Sequence, residues 1–508
     1  MYLALSQLST QAQIPLLPAS HTEGYKFDPL LHLPGISPYF DAVGSGLDHG
    51  PPRFCEVTAA SYLIRHAAIY ANDDDYEDYI EPFIKKLDST FSTTSGKKRK
   101  GWKGPLSFFE KWKNPIADPE NQMEQITPQG IKDSKKVGKH LLSRYQKLVP
   151  TTKRIYADKK SRTQDTAKAF VKVFPQDVEI VEMHLNRTSF HSQVPHKACK
   201  AFSKKPGTEE QGKFMARYTK PIVERLQPFS PVELDETDIM GLQQLCGYDS
   251  AINGKQSDIC DVFTDNEWMS YGKQLWVFVH ILHNPFLSHL IYSVLLHFSA
   301  HRGNSTPETF SIRIKLTLQE YAWDLKYSYM VGHGNPLSPY LGFPWLNTTA
   351  QLMSKFHGPR HTGKSGDDVP DDDGQRFFLA FTHREVPPFI TTALGLFNSS
   401  NSEAEEFPTD RINWSRSWKM AELIPFLGHV GIEKLTCNAV SVDPGDDQEY
   451  IRIIANSAPR PIPKCQDGPG ASCPFDQFVE LVGKGMELYG DFDGICQNQD
   501  DDAEKVEL

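Results

Sequence analysis

Three short apolar runs end abruptly on charged residues, each followed by a helical pattern, and no other feature restricts the possible folds as much. Val57–Ile64 runs into Arg65 and His66, Arg154–Ala157 into DKKSRT, and Phe377–Phe381 into THRE. A short continuous apolar run bounded by polar residues reads as a buried strand. Strands alternating with helices predict an α/β fold, a sheet of mostly parallel strands with helices on both faces. In such sheets ligands sit beyond the carboxyl ends of the strands, so these three loops are expected to converge on one site.

The helix before the second strand has a clear start in EQITPQG, with Thr127 as N-cap and Pro128 in the first turn, where a missing N–H costs nothing. Ile131, Val137, Leu141, Tyr145 and Leu148 then recur at helical spacing. In SRTQDTAKAFVKVF a similar stripe places Arg162 in a first helical turn, where free N–H groups and the helix dipole favour an anion. Between 185 and 272 the pattern turns helical and irregular and reads as a smaller, mainly helical cap. The expected division is an N-terminal arm over 1–24, an α/β domain from 25–184 and 321–508, and the cap between. KKRK at 97–100, the acidic run 367–373 and the tail after Gln499 read as solvated loops.

Residues 273–319 are unlike their surroundings. Leu275–Phe298 is long and apolar enough to suggest a membrane helix, but His280, His283, Asn284, Pro285 and His289 interrupt it. Its histidines also suggest a metal, without a carboxylate or Cys beside them. Gly272-Lys-Gln and Leu316-Thr-Leu-Gln can be encoded as a splice donor and as a branch point with acceptor, so the segment reads as a retained intron rather than a helical insertion.

The chain's 508 residues carry a net charge of −10, which gives no general attraction to nucleic acid or to an anionic membrane. The eight cysteines contain no CxxC pair and no Cys/His cluster at zinc spacing, so disulfides are the better reading. Sequons at Asn186, Asn304, Asn347, Asn398 and Asn413 fit the same oxidising, secretory route. The amino end lacks a charged region followed by a full apolar stretch, which reads as a truncated or mispredicted start. The closing KVEL resembles a retrieval signal only loosely.

His66 by itself admits three chemistries: metal ligand, general base or nucleophile. Arg65 beside it supplies planar bidentate donors to a carboxylate or phosphate. Arg162 at a helix start and His383 beyond another strand add groups suited to a phosphoryl anion.

With these residues in place, the chain resembles the branch-2 histidine acid phosphatases, the group of fungal phytases and secreted acid phosphatases. RFCEVTAASYLIRHAAIY is similar to that family's Arg-His-Gly-x-Arg-x-Pro segment, EQITPQG to its Glu-x-Leu-Thr-Pro-x-Gly segment, and SRTQDTAKAF to its Ser-Arg segment. FTHREVPPFITTALGLF occupies the place of the His-Asp motif, and WKMAELIPFLGHVGIEKLTC resembles the strand region after it. The likeness runs in order from about residue 25 to 496, with residues 272–319 alone lacking a counterpart.

The resemblance implies an acid phosphatase acting on small phosphomonoesters, inositol phosphates among them, without metal or other cofactor. His66 would form a phosphohistidine while Arg65, Arg162 and His383 hold the equatorial oxygens. It also implies disulfides Cys55–Cys437, Cys199–Cys496, Cys246–Cys260 and Cys465–Cys473. Two motifs depart from the family. Its second motif arginine falls at Ile69 and its Gly at Ala67, and Arg384 stands where it has the Asp of His-Asp. In an extended segment His383 and Glu385 face the same way with Arg384 turned aside, so Glu385 is the expected proton donor, as in the His-Ala-Glu of inositol polyphosphate phosphatases. The donor must be protonated and His66 neutral at attack, which predicts an optimum between about pH 3 and 6. The alternative is a catalytically silent relative that binds a phosphorylated ligand or a protein.

Overall fold

The computed structural model describes residues 27–91, 99–185, 187–268, 318–356, 374–399, 406–413, 415–438 and 447–497. The amino arm 1–24, Lys97 and Lys98, Asn186, the insertion up to 317 with its histidines and Asn304, the run 367–373 and the acidic tail lie outside the described residues.

Among the described residues eight strands form one sheet: β1 (Cys55–Arg65), β2 (Arg154–Asp158), β3 (Glu179–Met183), β4 (Phe377–Thr382), β5 (His429–Asn438), β6 (Asp447–Ala455), β7 (Ala458–Arg460) and β8 (Cys473–Pro474). Their order is β3-β2-β4-β1-β5-β6-β7, with β8 paired to β6. The half from β3 to β1 is parallel, and β5, β6 and β7 continue it as an antiparallel meander. The three strands expected from sequence are the neighbours β2, β4 and β1, so their carboxyl ends emerge at one edge. β1 is buried on both faces, which is why it reads as a nearly continuous apolar run.

Alternation sorts the side chains between two helical layers. Tyr62, Ile64, Phe377, Leu379 and Phe381 pack on one face against the helices Pro128–Arg144 and Ser161–Val171 through Val137, Leu141 and Phe170. Leu63, Ala380, Val430 and Ile432 face the other way, against Leu346, Ile390 and Val482. A further apolar cluster joins Tyr76, Phe83, Trp102 and Phe109 to Phe214, Leu245, Trp268 and Tyr327. The helical side layer therefore draws on segments before and after the 185–272 span as well as on that span. Among the described residues no helix is long and apolar enough to cross a membrane.

Thr127 caps its helix as expected, its Oγ1 accepting from the Gly130 N–H at 2.9 Å, a contact of the kind worth about 0.5–2 kcal/mol. Its own N–H also donates to the Ala68 carbonyl at 2.9 Å. A Cβ on Gly130 would lie 2.4 Å from that carbonyl, so only glycine lets the helix press on the loop that carries His66. One expected solvated loop is not solvated at Arg99, which is 6% exposed. Its guanidinium lies over Phe91 and donates to the Trp112 carbonyl at 2.6 Å and to Asp88 at 2.9 Å, acceptors that offset the burial of its charge.

Four disulfides close the structure: Cys55–Cys437, Cys199–Cys496, Cys246–Cys260 and Cys465–Cys473. The first joins directly opposed residues of β1 and β5. Of the sequon asparagines described, Asn398 is exposed, while Asn347 and Asn413 are half-buried.

Candidate active site

Strand pairing carries past the end of β1. The Arg65 N–H donates to the Gly428 carbonyl at 2.8 Å and the His66 N–H to the Thr382 carbonyl at 3.0 Å, which sets the β1 loop beside the β4 loop. The next N–H, of Ala67, donates to Thr166 Oγ1 at 3.0 Å and ties the loop to the helix that carries Arg162. The loops expected to converge do so. The His66 and His383 rings are 5.8 Å apart, and Arg162 Nη2 is 3.3 Å from His383 Nδ1.

His66 is buried, and its Nδ1 lies 2.9 Å from the Ala67 carbonyl. Only a protonated Nδ1 can donate to that oxygen, so the lone pair of the neutral ring sits on Nε2. Burial, then Arg65 and Arg162, pushes the imidazole well below its ordinary pKa. That shift favours the neutral ring, with its free lone pair on Nε2. Arg65 is fully buried, donates from Nη1 to the Ile424 carbonyl at 2.7 Å and stacks 4.5 Å from Phe426. Its Nε and Nη2 have no protein acceptor. Arg162 pairs with Glu124 through Nη1, and its Nε likewise lacks a partner. Buried donors left over in this way are a costly arrangement unless an anion meets them.

His383 was expected to hold a phosphate oxygen, yet both ring nitrogens already meet protein groups. Nε2 is 2.8 Å from Asp158 Oδ2 and 2.7 Å from Lys197 Nζ. Donation from Nε2 to Asp158 leaves Nδ1 to accept from Arg162, and burial together with Lys197 and His196 outweighs the Asp158 hydrogen bond to bring the ring down to about 3. It is neutral and oriented. Asp158, although burial raises it, is held well below the usual carboxylate range by His383 and Lys197.

The expected alternation along residues 383–385 fails, because β4 ends at Thr382 and the chain is already turning. Glu385 has helical angles, φ −76° and ψ −26°, at the cap of the helix Val386–Ala393. All three side chains are consequently buried, at 3% for His383, 8% for Arg384 and 5% for Glu385. Arg384 is buried as well, donating to Asp75 Oδ2 at 3.1 Å. Glu385 lies 3.8 Å from His196 Nε2 and 3.7 Å from Arg384 Nε. Burial raises its carboxyl, but His196, Arg384 and His383 together hold it well below the usual range. The expected proton donor is thus ionised in the resting site.

Several residues at the site carry no mark in the sequence. His196 and Lys197 arrive on a short helix, Pro195–Ala198, just before the Cys199–Cys496 bond. His196 is itself pulled by burial to about 4, and its Nδ1 has no partner. Asp158 and Glu124 were visible only as members of longer motifs, DKKSRT and EQITPQG.

A family model described as the histidine phosphatase superfamily (branch 2) matches residues 56–456. The chain is 24% identical over 474 residues to an acid phosphatase of Komagataella pastoris, covering 90% of this chain and 84% of that protein. It is 24% identical over 490 residues to a phytase A of Aspergillus oryzae, covering 90% and 89%. The solved phytase from D. castellii shares the fold with a TM-score of 0.69 at 18% identity, covering 95% of this chain and 92% of that one. The multiple inositol polyphosphate phosphatase of Bifidobacterium longum gives 0.54 at 11% identity, covering 90% and 97%.

Proposed function

The chain belongs to branch 2 of the histidine phosphatase superfamily, a group of phosphoric monoester hydrolases, and on that premise we propose that it hydrolyses small phosphomonoesters through a phosphohistidine on His66. The relatives named phytase make inositol phosphates candidate substrates. The observation that carries the reading is the neutral His66 ring, fixed through Nδ1, beside guanidinium donors of Arg65 and Arg162 that lack protein acceptors.

Proton accounting follows from the resting charges. Below about pH 6 a phosphomonoester is a monoanion that carries one proton. Entering beside Arg65 and Arg162, it loses that proton to the ionised Glu385, because guanidinium charge favours the dianion and the new negative charge raises the carboxyl. His66 Nε2 then attacks phosphorus as the P–O bond to the alcohol breaks, and Glu385 returns the proton to the leaving oxygen. In the second half, Glu385 takes a proton from water as that water attacks phosphorus and the N–P bond to His66 breaks, then passes it to the departing phosphate, which leaves as the dihydrogen anion with His66 neutral and Glu385 ionised again. His383, with both nitrogens engaged, positions Arg162 rather than carrying charge itself.

The test is rapid mixing with an aryl phosphate at pH 5, followed by quenching. Wild type should release a stoichiometric burst of phenol with phosphate held on His66, and His66→Ala should release none. Turnover that persists in His66→Ala would end the proposal. The rival reading, a silent relative that binds a phosphorylated ligand, draws on Ile69, fully buried among apolar residues where the family has a cation, and predicts phosphate binding without a burst. The four disulfides and the exposed Asn398 support a secreted, glycosylated protein.

A further inference from the structure

The mechanism above leaves Arg384 without a task, yet its surroundings tie it to the nucleophile. Its Nη1 donates to Asp75, whose carboxylate is held by the Tyr248 hydroxyl at 2.6 Å and Asn72 Nδ2 at 3.1 Å. The Tyr248 ring lies 6.4 Å from Phe426, and Phe426 in turn touches Arg65 at 4.5 Å and the His66 ring at 6.3 Å. Arg384 is therefore built into the wall around Arg65 and His66. Tyr327 stands in the same wall. Its hydroxyl is buried and without a protein partner, and both it and Arg384 Nη1 lie within 4 Å of where a side chain on Gly35 would begin, at 3.2 and 3.7 Å. Gly35, at φ +80°, is the residue that lets the backbone pass so close.

Two observations give these groups a purpose. Arg65 Nε, Arg65 Nη2 and the Tyr327 hydroxyl are all buried donors that no protein acceptor meets. Meanwhile Ile69, the position of the missing motif arginine, is sealed into an apolar cluster with a backbone bridge to Ile126, so nothing from that position can reach an anion.

We propose that Arg384 and Tyr327 form a second wall of the phosphate site, Arg384 supplying from the β4 loop the guanidinium that the β1 loop lacks at Ile69. Asp75 is its tether, fixing Nη1 so that the rest of the fork is presented without a search of rotamers. The same guanidinium, 3.7 Å from Glu385, links the proton donor to the bound anion. Its charge is felt at the other two cations: after burial, Arg384 helps bring Arg65 down to about 10, and it lowers Arg162 as well.

The proposal rests on the phosphate-site reading but not on turnover, so its test is binding of inorganic phosphate to the full chain by calorimetry at pH 5. Tyr327→Phe, which removes only an unpartnered hydroxyl, should keep the thermal midpoint and weaken phosphate several-fold. Asp75→Asn/Arg384→Gln, which removes both charges of the buried pair and leaves neither orphaned, should weaken it tenfold or more. Arg384→Lys, keeping charge without the fork, should fall between. Unchanged phosphate affinity in folded Tyr327→Phe and in either Arg384 variant overturns the proposal, as does a wild type that binds no phosphate. A wild type that binds phosphate but gives no burst defeats the hydrolytic reading alone, and loss of affinity in the variants still supports the second wall.

Discussion

Arg65 and Arg416 are both sealed from solvent, at 0% and 2% exposure, and the fold treats them in opposite ways. Arg416 donates from Nε and Nη2 to Asp324 Oδ2 at 2.8 and 2.6 Å and from Nη1 to the Asn413 carbonyl at 3.3 Å. The other oxygen of Asp324 accepts the Met420 N–H at 2.7 Å, and Glu320 stands 3.9 Å away, bonded to His32. Every nitrogen has an acceptor. Arg65 has one carbonyl and an aromatic face, with two nitrogens left over. Burying a guanidinium is expensive in both places, and only in the first does the protein itself supply the compensation. On the proposed function, the difference separates a cation that holds the fold from one that meets the substrate anion.

The contrast breaks if the two respond alike to removal. Arg416→Gln leaves Asp324 and Glu320 buried without their cation, so it should cost about 3–5 kcal/mol, read as a lower urea midpoint, with KM unchanged in whatever remains folded. Arg65→Gln should lower kcat/KM by about 10²–10³, the cost of one oxyanion donor, while the urea midpoint holds or rises because a half-partnered charge has left the interior. A midpoint that drops as far for Arg65→Gln as for Arg416→Gln would mean that unmet donors say nothing about function here.

The strand ends were legible because an apolar run that stops on charge is a local signal. Arg65, His66, Arg162 and His383 could all be named from it. The antiparallel meander was visible only as a strand region, since apolar residues on both faces of β5 do not reveal the direction of its partners. Lys197, His196 and Asp75 were not legible. They come from PHKAC, inside the span that reads as helical and irregular, and from the acidic stretch NDDDY, and they reach the site through packing and the Cys199–Cys496 bond. Arg384 was misplaced because a two-residue period holds only while the backbone stays extended, and it bends one residue earlier. The charge of Glu385 depends on His196, nearly two hundred residues away in sequence, so no local pattern could fix it.

Glu385 gives the next test. If the substrate monoanion brings the proton, kcat/KM should fall about tenfold per unit above pH 6, as substrate becomes dianionic. The His66 pKa is pushed far down, so loss of its neutral form contributes nothing to that limb. Glu385→Gln cannot accept or return a proton, and should flatten the limb as it lowers the rate. A limb of the same slope and midpoint in that variant would assign the proton elsewhere.

Lys197 lies between the two arginines in character. It meets Asp158 at 2.6 Å and His383 at 2.7 Å, yet its side chain is 21% exposed. Asp158 is depressed in the fold, so its contribution to stability is present above its unfolded pKa, about 3.9, and is lost as pH falls through the folded value. Lys197→Met removes one of the two groups that depress it. Acid unfolding should then begin at a higher pH, while His383, relieved of a neighbouring cation, should take up a proton more readily and move the acid limb of kcat/KM upward. The change in rate at pH 5 should be only several-fold, because His383 keeps Asp158 and Arg162 as partners. If both acid transitions stay where they are in Lys197→Met, Lys197 is a rim charge that neither holds the fold nor orients the site, and His383 is set by burial, Asp158 and Arg162 without it.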